Sequence, residues 1–167
     1  MKNVFKLTLK DKKSGKVTDE RIVKNYITYL GIGHMLDVCK GRSNVDSVTT
    51  GGSCWISLGT GSSIQDYWRS GLITEISGTG NLGRSKLDAS SRLNYSAYFS
   101  ATFDVDIASG ALTECGLFVK GYGSGNSLLE PGSSLNTGVL YDYVSFAALN
   151  KDATNTLQVD IEVENGI

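Results

Sequence analysis

The chain has 167 residues with 16 Lys and Arg against 17 Asp and Glu, a formal net charge of −1. That length suits one domain, here 1–167, able to bury most of its apolar surface without a metal or disulfide staple, and the charge offers no basic field for nucleic acid or anionic membrane. No apolar run approaches the roughly 18 residues that span a bilayer, and the opening MKNVFKLTLKDKKSGK lacks a signal-peptide core, so a protein made and kept in the cytosol, or carried out by another route, is expected.

Along the chain, Phe5, Leu7 and Leu9 alternate with Lys6, Thr8 and Lys10, which predicts a strand over Val4–Leu9, a turn at Lys12–Gly15 and a returning strand over Val17–Val23. Asn25 can cap a helix over Tyr26–Cys39, in which Ile27, Leu30, Met35, Leu36 and Cys39 fall near helical spacing. Gly31 and Gly33 weaken that helix, and close packing onto a sheet is the reason to expect them there. Lys40–Gly52 reads as a polar loop, Cys54–Gly59 as a covered strand and Gly59–Ser63 as a turn. Asp66–Ile76 reads as a helical turn that places Trp68, Leu72 and Ile76 against the core. Arg84–Leu93 is a loop or an edge strand.

The most informative stretch is Asn94–Val119. Tyr95, Ala97, Phe99, Ala101, Phe103 and Val105 share one face with a period of two, and Ala111–Val119 is apolar on both faces apart from Thr113 and Glu114. With Asp106–Gly110 between them, the two runs predict a hairpin at the centre of an antiparallel sheet. After the Gly- and Ser-rich excursion Gly121–Asn136 come a strand over Gly138–Leu149, a turn at Asn150–Asn155 and a two-sided strand over Leu157–Val163. The expected fold is mainly β, an antiparallel β-sandwich of about seven to eight strands with one packed α-helix near residues 26–39.

The sequence carries little that suggests chemistry. Cys39, Cys54 and Cys115 form no CxxC pair and are read as three buried thiols, and the single histidine, His34, excludes a multi-histidine metal site and is read as half-exposed on the helix. No catalytic, cofactor-binding or metal-binding residue is assigned, and no cofactor is expected. Glycine amides in Gly59–Ser63 can cradle an anion, but the Lys of a P-loop is missing, so a plain turn is the better reading; Gly121–Gly125 is likewise a loop tip.

Glu75 and Glu114 are acids in apolar surroundings. A glycosidase would need such a pair about 5 Å or roughly 6.5–9.5 Å apart. The favoured reading is structural, with Glu114 accepting from an arginine such as Arg84 or Arg92 or from backbone amides. Glu114, Glu75 and Arg84 are thus expected as buried polar residues. Among the aromatic side chains Tyr98 and Tyr122 are the expected exposed ones, and with Leu128 and Leu129 they are the candidate interface residues.

Several segments in order, Val23–Asp37, Trp55–Ser62 (WISLGTGS), Gly71–Ile76 (GLITEI), Ala101–Phe103 (ATF), Gly110–Phe118 (GALTECGLF) and Tyr143–Leu157, resemble the small virion structural proteins of tailed bacteriophages, of tail-fibre, baseplate-associated or head-decoration type. The resemblance spans residues 20–163. Cys115 stands where a small residue such as Ala is commoner, and the Pro-containing stretch that usually follows the GTG turn is missing. It implies a virion assembly component made in the host cytoplasm, without catalytic residues, present in many copies and bound to other virion proteins. Edge strands, the loops Ser43–Ser53 and Gly121–Asn136, and the N-terminal strand would make the contacts. A carbohydrate- or receptor-binding module for host adsorption, with a host-surface glycan as ligand, is the alternative reading of the tyrosines.

Overall fold

The computed structural model describes residues 2–25, 27–41, 54–62, 66–77, 83–122, 128–129 and 135–164, with backbone alone for 2, 128 and 129. The strands are β1 (Lys2–Asp11), β2 (Val17–Asn25), β3 (Cys54–Gly59), β4 (Arg84–Lys86), β5 (Ala89–Leu93), β6 (Ser96–Phe103), β7 (Gly110–Val119), β8 (Gly121–Tyr122), β9 (Leu128–Leu129), β10 (Val139–Lys151) and β11 (Asn155–Glu164), and α1 covers Tyr29–Cys39. A five-stranded antiparallel sheet ordered β2-β1-β11-β6-β5 faces a four-stranded antiparallel sheet ordered β10-β7-β3-β4, with β8 and β9 as a separate ribbon. This is the expected β-sandwich with one helix, with more strands than the sequence predicts and with β1, β2 and β11 running longer than expected.

Alternation explains the first sheet. Phe5, Leu7 and Leu9 of β1, Phe99, Ala101 and Phe103 of β6, and Leu157, Val159 and Ile161 of β11 are all buried in one cluster with Ile56, Leu58, Leu117 and Val144 of the opposite sheet. Fully burying such a side chain contributes about 1.5–3 kcal/mol, so this two-sided apolar layer is the main source of stability. In β7 both faces are covered, as its composition predicts: Cys115, Leu117 and Val119 join the main core, and Phe118 joins Leu72, Leu140 and Tyr143 in a second one.

The central hairpin is a correction. β6 pairs with β5 and β11, β7 pairs with β3 and β10, and the segment between them carries the chain from one sheet to the other. A period of two fixes which face of a strand is buried but not which strand lies beside it. The crossing is pinned by buried Lys151, whose amine donates to the carbonyls of Asp104 at 2.8 Å and Val105 at 3.2 Å. Tyr95, expected inward, sits in the turn before β6 and is 66 % exposed. Arg84–Leu93, which reads as a loop or an edge strand, contains edge strands of both sheets, β4 of one and β5 of the other.

The helix starts later than its sequence predicts, and of the residues expected inward Ile27, Leu30 and Met35 do pack on the main core. Thr28 is the N-cap, accepting from the Gly31 amide at 3.0 Å, while Asn25 is the last residue of β2. Gly31 lies so close to β10 that a Cβ there would fall 2.2 Å from the Tyr141 carbonyl oxygen, whereas a Cβ at Gly33 would meet nothing within 4 Å. The flank that lacks side-chain bulk is the one that can reach the sheet. His34 is therefore fully buried, edge-on to the Tyr141 ring at 5.9 Å, and Leu36 and Cys39 are exposed. Only Cys54 and Cys115 of the three thiols are buried.

Candidate functional site

The glycine turn after β3 does cradle an anion, and the anion is the chain's own. Glu114 projects from β7 into the second core and is fully buried. Its Oε1 accepts from the amides of Gly61 at 3.0 Å and Thr74 at 2.7 Å, and its Oε2 accepts from the Ile73 amide at 2.9 Å and the Tyr143 hydroxyl at 3.2 Å. Backbone amides, and not Arg84 or Arg92, are its partners. The close fit requires small residues, since a Cβ on Gly59 or Gly61 would fall 2.4 or 2.5 Å from Oε1. Burial and the Glu114 charge push the Tyr143 hydroxyl up to about 12.

Glu75, one residue beyond Thr74, has its own set of donors. Arg84 donates Nε to Oε1 and Nη2 to Oε2, the latter at 3.2 Å, and the Ser57 hydroxyl and the Asn136 amide complete the cage. The guanidinium lies 4.1 Å from the Phe118 ring centroid and donates to the Thr137 carbonyl at 3.0 Å. Both acids are thus held by several donors each. Such a carboxylate is a staple between loops, and withdrawing it to move a proton would strand buried amides. Glu75, Arg84 and Glu114 are all buried, and Arg84 pairs with Glu75.

A third polar knot, not singled out by the sequence reading, ties the two sheets. Asp142 in β10 is fully buried and accepts from Asn3 Nδ2 at 2.7 Å, from Asn25 Nδ2 and from the Tyr143 amide at 2.9 Å; Asn3 and Asn25 are register partners on β1 and β2. Burial pushes its carboxyl up to about 7 against these hydrogen bonds. A lone acid in the apolar run VLYDYVSF is the signal that would have found it.

The surfaces differ strongly from one another. On the helix side Trp68, 76 % exposed, stacks at 4.3 Å from Tyr29, with Tyr67 at 6.0 Å from Tyr29, and Ile32 and Leu36 extend the patch along α1. The sequence places Trp68 against the core, and the structure corrects this. Residues 66–77 form turns and bends with no helical turn, so Leu72 and Ile76 reach the interior while Trp68 points away. Of the predicted interface residues, Tyr98 and Tyr122 are half-buried, and the Tyr98 hydroxyl donates to Glu162 at 2.8 Å. The side chains of Leu128 and Leu129 and the loop Ser43–Ser53 lie outside the described residues, as does most of Gly121–Asn136. Strand β1, proposed for addition to a neighbour's sheet, is hydrogen-bonded on both sides, to β2 and β11.

Among the described residues no group of three or more His, Cys, Asp or Glu is placed to hold a metal, and no helix is long and apolar enough to cross a membrane. Comparison with protein-family models, with curated proteins and with solved structures gives no match.

Proposed function

We propose that this protein is a non-enzymatic structural component of a tailed-bacteriophage particle, a tail, fibre-attachment or head-decoration subunit that works by protein–protein assembly in multiple copies. The observation that carries the reading is the exposed cluster of Tyr29, Ile32, Leu36, Tyr67 and Trp68, an uncharged aromatic and aliphatic patch on an otherwise mixed surface. Contiguous patches of this kind mark sites where another protein covers the surface, and Trp and Tyr are the residues that dominate such contacts. Two features support it further: the resemblance of the segments around WISLGTGS, GLITEI and GALTECGLF to virion proteins, and the engagement of Glu75 and Glu114 as loop staples.

The test is incorporation into particles. Trp68→Ala and Leu36→Glu lie on the surface and should leave thermal unfolding within about 0.5 kcal/mol of the parent, as surface changes do. Phage assembled with either variant should lack the subunit or carry it at reduced copy number on quantitative gels of purified particles. Full incorporation of both variants, or absence of the parent protein from particles, overturns the reading.

A further inference from the structure

On the opposite side of the molecule from any acid staple, the outer face of the five-stranded sheet carries a groove of about 410 Å³ lined by β2, β1, β11, β6 and β5. We propose that this groove is a saccharide-binding site, with Tyr98 as the platform for a sugar ring and Asp160 and Glu162 as acceptors for its hydroxyls. The inference is independent of the assembly reading, which rests on the helix side.

Register builds the groove. One row across the sheet runs Ile22, Lys6, Asp160, Ser100, Ala89, and the next runs Lys24, Val4, Glu162, Tyr98, Ser91. All point outward by the period of two that sends Phe5, Phe99 and Ile161 inward. The carboxylates are held by neutral donors: Ser100 Oγ reaches Asp160 at 2.7 Å, Gln158 Nε2 reaches it at 3.0 Å, and the Tyr98 hydroxyl reaches Glu162 at 2.8 Å. Lys6 is engaged elsewhere, pairing with Glu20 at 3.0 Å, and Lys24 stands at the far end of its row with Val4 between it and Glu162. The Tyr98–Glu162 bond also fixes the lean of the ring along the sheet and raises the phenol above its ordinary range.

This arrangement selects its ligand by chemistry. Two carboxylates without a dedicated cation repel an anion and accept hydrogen bonds from a polyol. The backbone groups beneath are used in the sheet ladders, so an extended peptide has no edge to pair with here. A hydrocarbon would strip water from both carboxylates and offer no donor in its place, leaving only the few neutral donors of the sheet. The Tyr98 ring with exposed Ile22 and half-buried Val4 supplies apolar area for the C–H face of a sugar, and the volume falls in the range of small-ligand sites. A basic peptide is the competing ligand, and the test separates it.

The intact chain would be screened on an array of neutral and N-acetylated oligosaccharides, and hits titrated by amide NMR with tetralysine as the comparison. Expected is saturable binding of at least one saccharide, at about millimolar strength for so few contacts, with shifts confined to Tyr98, Ser100, Asp160, Glu162 and their neighbours. Tyr98→Ala and, should that variant fold poorly, Glu162→Gln and Ser100→Ala should each weaken binding about tenfold or more, and Trp68→Ala should leave it unchanged. Absence of any saccharide hit, shifts elsewhere on the molecule, unchanged affinity in the groove variants, or tighter binding of tetralysine at the same residues overturns the proposal.

Discussion

Gly61 and Glu114 lie far apart in sequence and in contact in space: the glycine amide donates to Oε1 at 3.0 Å, and a Cβ on the glycine would fall 2.5 Å from that oxygen. The pair joins the turn after β3 to the middle of β7, and the Ile73 and Thr74 amides join a third segment to the same carboxylate. A branched or even a methyl side chain at 61 must push the carboxylate out of its nest. Gly61→Ala is expected to cost about 1–3 kcal/mol, the usual range for over-packing. Glu114→Gln, which keeps the shape but turns an NH2 toward backbone donors, should cost on the order of 3 kcal/mol. Urea unfolding of both variants measures this; a midpoint unchanged from the parent in Glu114→Gln would remove the staple from the account.

Asp142 makes stability depend on pH with a definite sign. Burial, the largest influence, holds the folded carboxyl at about 7, above its ordinary 3.8. The folded protein therefore keeps a proton that the unfolded chain releases. Its contribution is greatest below about pH 4, declines as pH rises toward 7, and is flat above. Asp142→Asn should flatten this decline, so that the difference between variant and parent grows in favour of the variant from pH 4.5 to pH 7. A difference constant over that range contradicts the assignment.

His34 has the opposite sign. Among the described residues its two ring nitrogens meet no hydrogen-bond partner, and burial, only partly offset by Asp37, lowers its affinity for a proton. The unfolded chain protonates first, so stability is lost as pH falls below the ordinary value of about 6.5. His34→Leu should be neutral or stabilising at pH 8 and increasingly stabilising toward pH 5, by about 1 kcal/mol or more as an unsatisfied polar group is removed. Thermal melts at the two pH values decide it.

Gly31 and Gly33 should respond to alanine in opposite directions. At 31 the new methyl meets the Tyr141 carbonyl oxygen at 2.2 Å and Ile27 Cγ2 at 2.5 Å, so helix α1 must lift from β10. Gly31→Ala should destabilise by about 1–3 kcal/mol. At 33 there is open space, and the better helix propensity of alanine should stabilise by about 0.5–1 kcal/mol. Equal effects at the two positions would mean the helix docks on another face.

Much of this architecture is legible in the sequence because it is written in local periods. The alternation in Ser96–Phe103 and Asn155–Glu164, and the two-sided apolarity of Gly110–Val119, mark which faces are buried before any partner is known. What stays hidden is the choice of neighbour. The alternation of β6 and the two-sided apolarity of β7 would read the same whether the strands were paired in one sheet or, as here, placed in two. The helix misleads in part for a related reason: Leu36 and Cys39 fall near the spacing of its buried residues and are exposed, because the docking contact is set by the missing side chain of Gly31 against β10. The buried acids were identifiable as acids needing partners, but the donors of Glu114 come from turns whose convergence no local pattern records.

Strand β11 occupies the slot between β1 and β6, pairing with Lys2–Asp11 on one side and Ser96–Phe103 on the other. A ribosome that has produced everything up to Asp152 has made four of the five strands of that sheet and none of the wedge that unites them. The β1–β2 hairpin and the β5–β6 pair must wait as separate halves, so closure of the sandwich is an event that follows synthesis of the last strand.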